Sequence, residues 1–147
     1  MKYDIVCTAT VEGDPAAIWE ARTDLPAYPG WDGREEELRL DGPFGPGATG
    51  FSKQVGRRPG SSFVVTAVEP RTRFTTQCPL PGGKLVLDHR MSDTATGEVK
   101  LCKTYRVHGP LSVLFRVYFG REIRRNMPST FAALAAEAAR RTAERRA

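Results

Sequence analysis

Along the first eleven residues, apolar and polar positions alternate. Tyr3, Ile5, Cys7, Ala9 and Val11 fall on one side, Asp4, Thr8 and Thr10 on the other. A period of two predicts a half-buried strand. Asp14-Pro15 then opens a helix, with Asp14 as N-cap and proline in the first helical position. That helix carries Ile18 and Trp19 and is predicted to stop near Thr23. The following "DLPAYPGW", residues 24–31, holds two prolines and a glycine, so a short helical turn or loop is expected there.

Six more strands follow from the same pattern. Glu35–Leu40 is charged on one side, with Leu38 and Leu40 on the other. "GPFGPG" turns the chain into Ala48–Val55, and "RRPG" separates that strand from Ser61–Glu69. Pro70-Arg71-Thr72 leads to Arg73–Cys78, "PLPGG" to Lys84–Ser92, and "DTATG" to Glu98–His108. Closely spaced strands joined by turn residues predict an antiparallel meander. From Pro110 onward the pattern is helical. An unbroken helix would be roughly 55 Å long at ~1.5 Å per residue, so breaks are expected at Gly120 and Pro128.

A curved sheet must bury its apolar face, and the terminal helix is the large partner left for it. Strands wrapped around one helix leave a gap between the two, and such a gap is a ligand cavity. The predicted fold is therefore α+β: seven curved antiparallel strands around a long C-terminal helix, with two short helices between strands 1 and 2. All 147 residues are expected to form one domain.

Composition narrows this picture in few places. The N-terminus does not read as a signal peptide, and no apolar run approaches the ~20 residues that cross a bilayer; a cytoplasmic location is expected. Cys7, Cys78 and Cys102 are far apart and lack metal-ligand spacing, as reduced, buried thiols would. From Arg116 onward the chain has eight arginines against three glutamates, an excess equal to its whole net charge of +5. The basic character is thus local, and no nucleic-acid partner is expected. GxSxG, HExxH and P-loop patterns are missing, no GxGxxG leads from a strand into a helix, and the chain has two histidines. No cofactor and no metal is implied.

"VEGDPAAIWEARTDLPAYPGWD" resembles the opening of polyketide cyclase/dehydrase-like proteins in the START-related helix-grip superfamily. There a first strand leads to D/A-P-x-x-V-W-x-x-x-x-D-x-x-x-Y-P-x-W. The resemblance continues through "GPGATG", "VTAVEPRTRF", "HRMSDTATGEVKL" and "GPLSVLFRVYFGREIRR", in order and over nearly the whole chain. It implies a helix-grip fold with a pocket for a small hydrophobic molecule, polyketide- or lipid-like. Superfamily members range from cyclases to carriers and co-chaperones, so fold alone does not choose among catalysis, lipid or isoprenoid transport and regulatory binding.

Three candidate catalytic residues emerge. Counting along strand 84–92 puts His89 with Leu85, Leu87 and Met91 on the inner face. The same count along strand 98–108 puts Lys103 inward with Val99, Leu101, Tyr105 and Val107. With a turn centred near Ala95 the two lie within one diagonal step. Such a pair binds an anionic group or polarises a carbonyl for ring closure; a bulge would instead turn Lys103 to solvent and leave His89 in the core. An inward Lys103 requires water or an acidic group beside it. Tyr28 and Trp31 match the family's aromatic pair, which implies either pocket-mouth stacking or a plug at the end of the core. The remaining lining candidates are Phe51, Phe63 and Val65, then Phe74, Leu87 and Tyr105. Leu114, Tyr118, Met127 and Phe131 are expected to complete it from the C-terminal helix.

On a ~100° wheel the apolar residues of 111–119 cover roughly 240°, leaving Ser112 and Arg116 on the polar side. An arc that wide suits a pocket wall. The alternative is docking to an anionic membrane through 111–125, with Arg121, Arg124 and Arg125 meeting the lipid.

Overall fold

Residues 1–56 and 60–146 are described by a computed structural model of the chain. Strands β1 (Lys2–Val11), β2 (Glu35–Asp41), β3 (Thr49–Gln54), β4 (Ser61–Glu69), β5 (Arg73–Leu80), β6 (Gly83–Asp93) and β7 (Val99–His108) form one antiparallel sheet. Its order is β1-β7-β6-β5-β4-β3-β2. Strands β2 to β7 are thus a meander, and β1 closes onto its last strand. Between β1 and β2 lie α1 (Pro15–Thr23) and a 3-10 turn (Leu25–Gly30). Asp14 caps α1 by accepting from the Ala16 amide at 3.3 Å, and Pro15 needs no such partner.

The C-terminal segment runs through α2 (Ser112–Leu114), a π-turn (Phe115–Phe119) and α3 (Gly120–Arg146). With the seven-stranded sheet this is the helix-grip fold. The breaks expected at Gly120 and Pro128 do not occur: 35 residues are helical without interruption. Pro128 is exposed, so the carbonyl its ring leaves unbonded lies on the side where water can serve it. Gly120 is a packing position. A Cβ there would meet the Phe115 carbonyl oxygen at 2.9 Å and the Tyr3 hydroxyl at 3.4 Å.

Two apolar clusters fill the space between helix and sheet. The first joins Ile5 of β1, Ile18 of α1, Leu101 of β7 and Met127, Phe131 and Leu134 of α3. The second joins Leu25 and Tyr28 of the 3-10 turn to Phe74 of β5. Across them lies one buried cation. Arg22 on α1 is 2% exposed and donates to the carbonyls of Arg90 at 2.6 Å and Cys102 at 3.0 Å. Arg90 and Cys102 oppose each other directly in β6 and β7, so one guanidinium ties α1 to that strand pair. Burial lowers its pKa to about 10, still far above neutrality, so the charge persists.

The arginines late in α3 are engaged with acids of the same chain. Glu137 accepts from Arg140 and Arg141, each at 2.8 Å. Arg141 also reaches Asp24 at 2.9 Å, and Arg145 pairs with Glu20 of α1. Much of the C-terminal charge therefore fastens α3 to α1. No helix among the described residues is long and apolar enough to cross a membrane.

Replacing Arg22 by alanine strands two main-chain carbonyls, at about 1–3 kcal/mol each. The expected loss in urea unfolding is about 3 kcal/mol; a loss below about 1 kcal/mol would contradict this role. A second expectation concerns acid. Hydrogen bonds from Arg140 first, then Arg141, hold the Glu137 carboxyl down at about 2 against an ordinary 4.5. Its contribution is full above the unfolded value and fades as pH falls from about 4.5 towards about 2. Stability of the native chain should drop more steeply across that window than stability of Glu137→Gln, and parallel curves would refute it.

Candidate functional site

A cavity of about 380 Å³ opens between the inner face of the sheet, the 3-10 turn and the start of the C-terminal helix. Phe63, Phe74, Leu85 and Leu87 make its apolar wall on β4 to β6, and Leu25 and Tyr28 meet them from the 3-10 turn. Phe63 projects inward over Gly50 of β3, where any side chain would collide with its ring. Phe115, Phe119 and Ile123 close the helix side.

His89 and Lys103 both border this space, and they are direct partners in the β6–β7 register, closer than a diagonal step. The imidazole of His89 is stacked on Phe74, with ring centroids 4.2 Å apart and 7° between planes. Burial first, then the charges of Lys103 and Arg22, push its pKa well below 6.5. His89 is therefore neutral at ordinary pH. The Lys103 ammonium lies 5.0 Å from the centre of the Tyr105 ring.

The acidic group that an inward lysine requires is Glu35, which sequence reasoning placed on the outer side of its strand. The β2–β3 register shifts between Glu35 and Glu37. This bulge reverses the alternation at the start of β2, so Glu35 joins Leu38 on the cavity side. Its carboxylate accepts from the Ser52 hydroxyl at 3.2 Å. Burial raises its pKa, while Lys103 and hydrogen bonds from Ser52 and Gln54 pull it back. Nothing in the alternation of "EEELRL" marks the extra residue; the need for a counter-charge to Lys103 is the signal that pointed to it.

Tyr28 borders the cavity too, but its hydroxyl donates to the main-chain carbonyl of Arg22. Burial raises that phenol's pKa strongly. Trp31 is half-buried with its ring 4.7 Å from that of Tyr28, and it packs against both apolar clusters without bordering the cavity. Its buried indole nitrogen has no hydrogen-bond partner.

Several other lining candidates lie elsewhere. Phe51 alternates with the cavity residues Ser52 and Gln54 and sits on the outer face, under the Arg39 guanidinium at 5.1 Å. Val65 is fully buried and does not reach the cavity, Phe131 belongs to the apolar core, and Met127, also of the core, borders a smaller cleft beside the cavity. Leu114 and Tyr118 face outward, 39% and 67% exposed. The wheel failed here because 115–119 is a π-turn with i→i+5 bonding, closed by the Gly120 amide on the Phe115 carbonyl. A wider turn changes the angle per residue, so Phe115 and Phe119 take the inner side. Ser112, assigned to the polar side, is buried.

The array has defined chemical capacity. A carboxyl with a raised pKa, an ammonium and a neutral imidazole converge on an apolar space. Together they can hydrogen-bond a ligand oxygen, oppose its developing negative charge, and accept or return a proton.

A family model described as polyketide cyclase / dehydrase and lipid transport matches residues 4–140. Among solved structures, the chain is similar to the ZhuI aromatase/cyclase from Streptomyces sp. R1128. The TM-score is 0.76 at 14% identity, covering 97% of this chain and 96% of that one. It is also similar to norcoclaurine synthase from Thalictrum flavum, with a TM-score of 0.70 at 16% identity and coverage of 98% and 88%. Ara h 8.0201 aligns with a TM-score of 0.71 at 15% identity, covering 94% and 98%. No curated protein matched the sequence. At such identities the structures establish the shared fold, while the match over 4–140 carries the assignment: this chain belongs to the polyketide cyclase / dehydrase and lipid transport family.

Proposed function

We propose that the protein binds a small hydrophobic or aromatic molecule with an oxygen substituent in the cavity, and that it acts on it as a cyclase or dehydrase. The observation that carries this reading is the convergence of Glu35, Lys103 and neutral His89 on a mainly apolar space. A pure container has no use for an inward ammonium and carboxyl, whose desolvation is costly. Ring closure of a poly-carbonyl chain needs a base to remove an activated proton and a cation near the carbonyl that gains charge. Glu35 and Lys103 suit those two roles, His89 orients the ligand oxygen, and Tyr28 supplies wall. Two of the similar structures are an aromatase/cyclase and norcoclaurine synthase, which fits chemistry on aromatic or ring-forming molecules.

Native mass spectrometry against a panel of polyphenols and lipids should show one-to-one binding of oxygenated aromatics. Lys103→Met should weaken these by about tenfold, the order expected for losing one hydrogen bond to a charged group, and leave oxygen-free analogues unaffected. With a linear poly-β-ketone thioester, Glu35→Gln should slow cyclisation by about 100-fold or more. A cavity that stays empty across the panel would refute the reading.

A second reading, a carrier that docks to membranes through 111–125, is favoured by one observation. Val113, Leu114, Val117 and Tyr118 are exposed large apolar side chains on successive helical turns, with exposed Arg116, Arg121 and Arg125 nearby. Arg124 is turned back, donating to the Tyr3 hydroxyl at 3.1 Å. In flotation with vesicles containing phosphatidylserine, the native chain should rise with the lipid and Val117→Asp should remain behind. Equal partitioning of the two would remove the docking role.

A further inference from the structure

Next to the cavity lies a cleft of about 270 Å³ between the β2–β3 end of the sheet and the first turns of α3. The two spaces share three side chains, Gln54, Tyr105 and Ile123. Beyond that shared wall the lining is more polar: Arg34, Glu122, Asn126 and Thr130 stand around the cleft together with Val55 and Met127.

The polar groups of the main cavity lie towards this wall. Gln54 opposes Glu35 in the β2–β3 register and hydrogen-bonds its carboxyl. The Lys103 ammonium sits over the ring of Tyr105. Cavity and cleft are therefore joined across a polar boundary: Glu35, Gln54 and Lys103 stand beside the shared side chains, and a hydrogen-bonding annex lies beyond them. At ~30 Å³ per water the annex has room for about nine waters, so an arm of several heavy atoms fits and a single bridging water would not fill it. Among the described lining residues Arg34 and Glu122 carry opposite charges, so the lining has no net charge. That favours neutral hydroxyl or amide groups over a net anion.

We infer that the cleft is a second subsite for an uncharged, hydroxyl- or amide-bearing arm of an amphipathic ligand whose apolar or aromatic body occupies the main cavity. This rests on the cavity-binding reading above. The ligand would cross the boundary at Gln54, Tyr105 and Ile123, placing its polar junction beside Glu35 and Lys103. Asn126 and Thr130 would then discriminate among ligands by their arms and take no part in chemistry at the junction.

The test uses two probes with one body and equal arm length, 3-(2-naphthyloxy)propane-1,2-diol and 2-propoxynaphthalene, titrated by naphthyl fluorescence. The native protein should bind the diol at least as tightly as the propyl ether, despite the diol's better hydration. Asn126→Leu and Thr130→Val keep side-chain size and remove hydrogen-bonding groups. Each should shift the preference towards the propyl ether by about tenfold, with the propyl ether's own affinity held or improved; thermal melts confirm that each variant is folded. A native preference for the propyl ether, or variants that weaken both probes alike, would overturn the subsite. If the propyl ether binds and the diol binds more weakly, the cleft assignment falls alone. If neither probe binds, the cavity reading falls and takes the subsite with it.

Discussion

The Arg22 guanidinium is where helix, sheet and cavity meet. A cation 2% exposed would be untenable without partners, and those it has are carbonyls of an opposed strand pair. This contact fixes where α1 lies across β6 and β7. The Arg22 ring-facing side meets Phe131 of α3, 5.9 Å from the ring centre, so the same group sets the spacing of the long helix. Its main-chain carbonyl receives the Tyr28 hydroxyl, which anchors the 3-10 turn at the rim of the cavity. Its charge also helps keep His89 unprotonated.

Around that anchor the cavity tolerates ionisable groups by coupling them. Lys103 draws the Glu35 pKa down while burial draws it up, so neither charge is isolated in apolar surroundings. Lys103 is repulsive towards a protonated His89, and burial acts in the same direction. One lysine thus stabilises an anion on one side and a neutral ring on the other. The remaining walls are mainly aromatic and aliphatic, which lowers the local dielectric around these contacts.

Much of this was legible in the chain. Alternation located all seven strands to within a residue or two, and it turned His89, Lys103, Leu87 and Tyr105 to the correct face, because those strands pair without a slip from Lys84 to Asp93. It failed where one residue of backbone changes the count. The bulge in β2 hid Glu35, and the π-turn narrowed the inward set of 111–119 to one side, turning Leu114 and Tyr118 out, since both alter phase without a distinctive residue. Pro128 misled for another reason: a missing hydrogen bond breaks a helix only when its orphaned carbonyl has no water to turn to. Arg22 was invisible because its partners are main-chain atoms some seventy residues away in sequence, which no local pattern can announce.

The bulge at the head of β2 gives the cavity's acidity an unusual origin. Glu35, Glu36 and Glu37 are consecutive, so a one-residue slip that brings Glu36 inward still presents a glutamate, whereas the opposite slip would present Arg34. A deletion within this triplet would still leave a carboxyl available at the inner position, while the rest of the strand kept Leu38 facing the same way. The run of three identical acids therefore keeps a counter-charge for Lys103 at hand: loss of one residue from the triplet leaves a glutamate beside the inward ammonium.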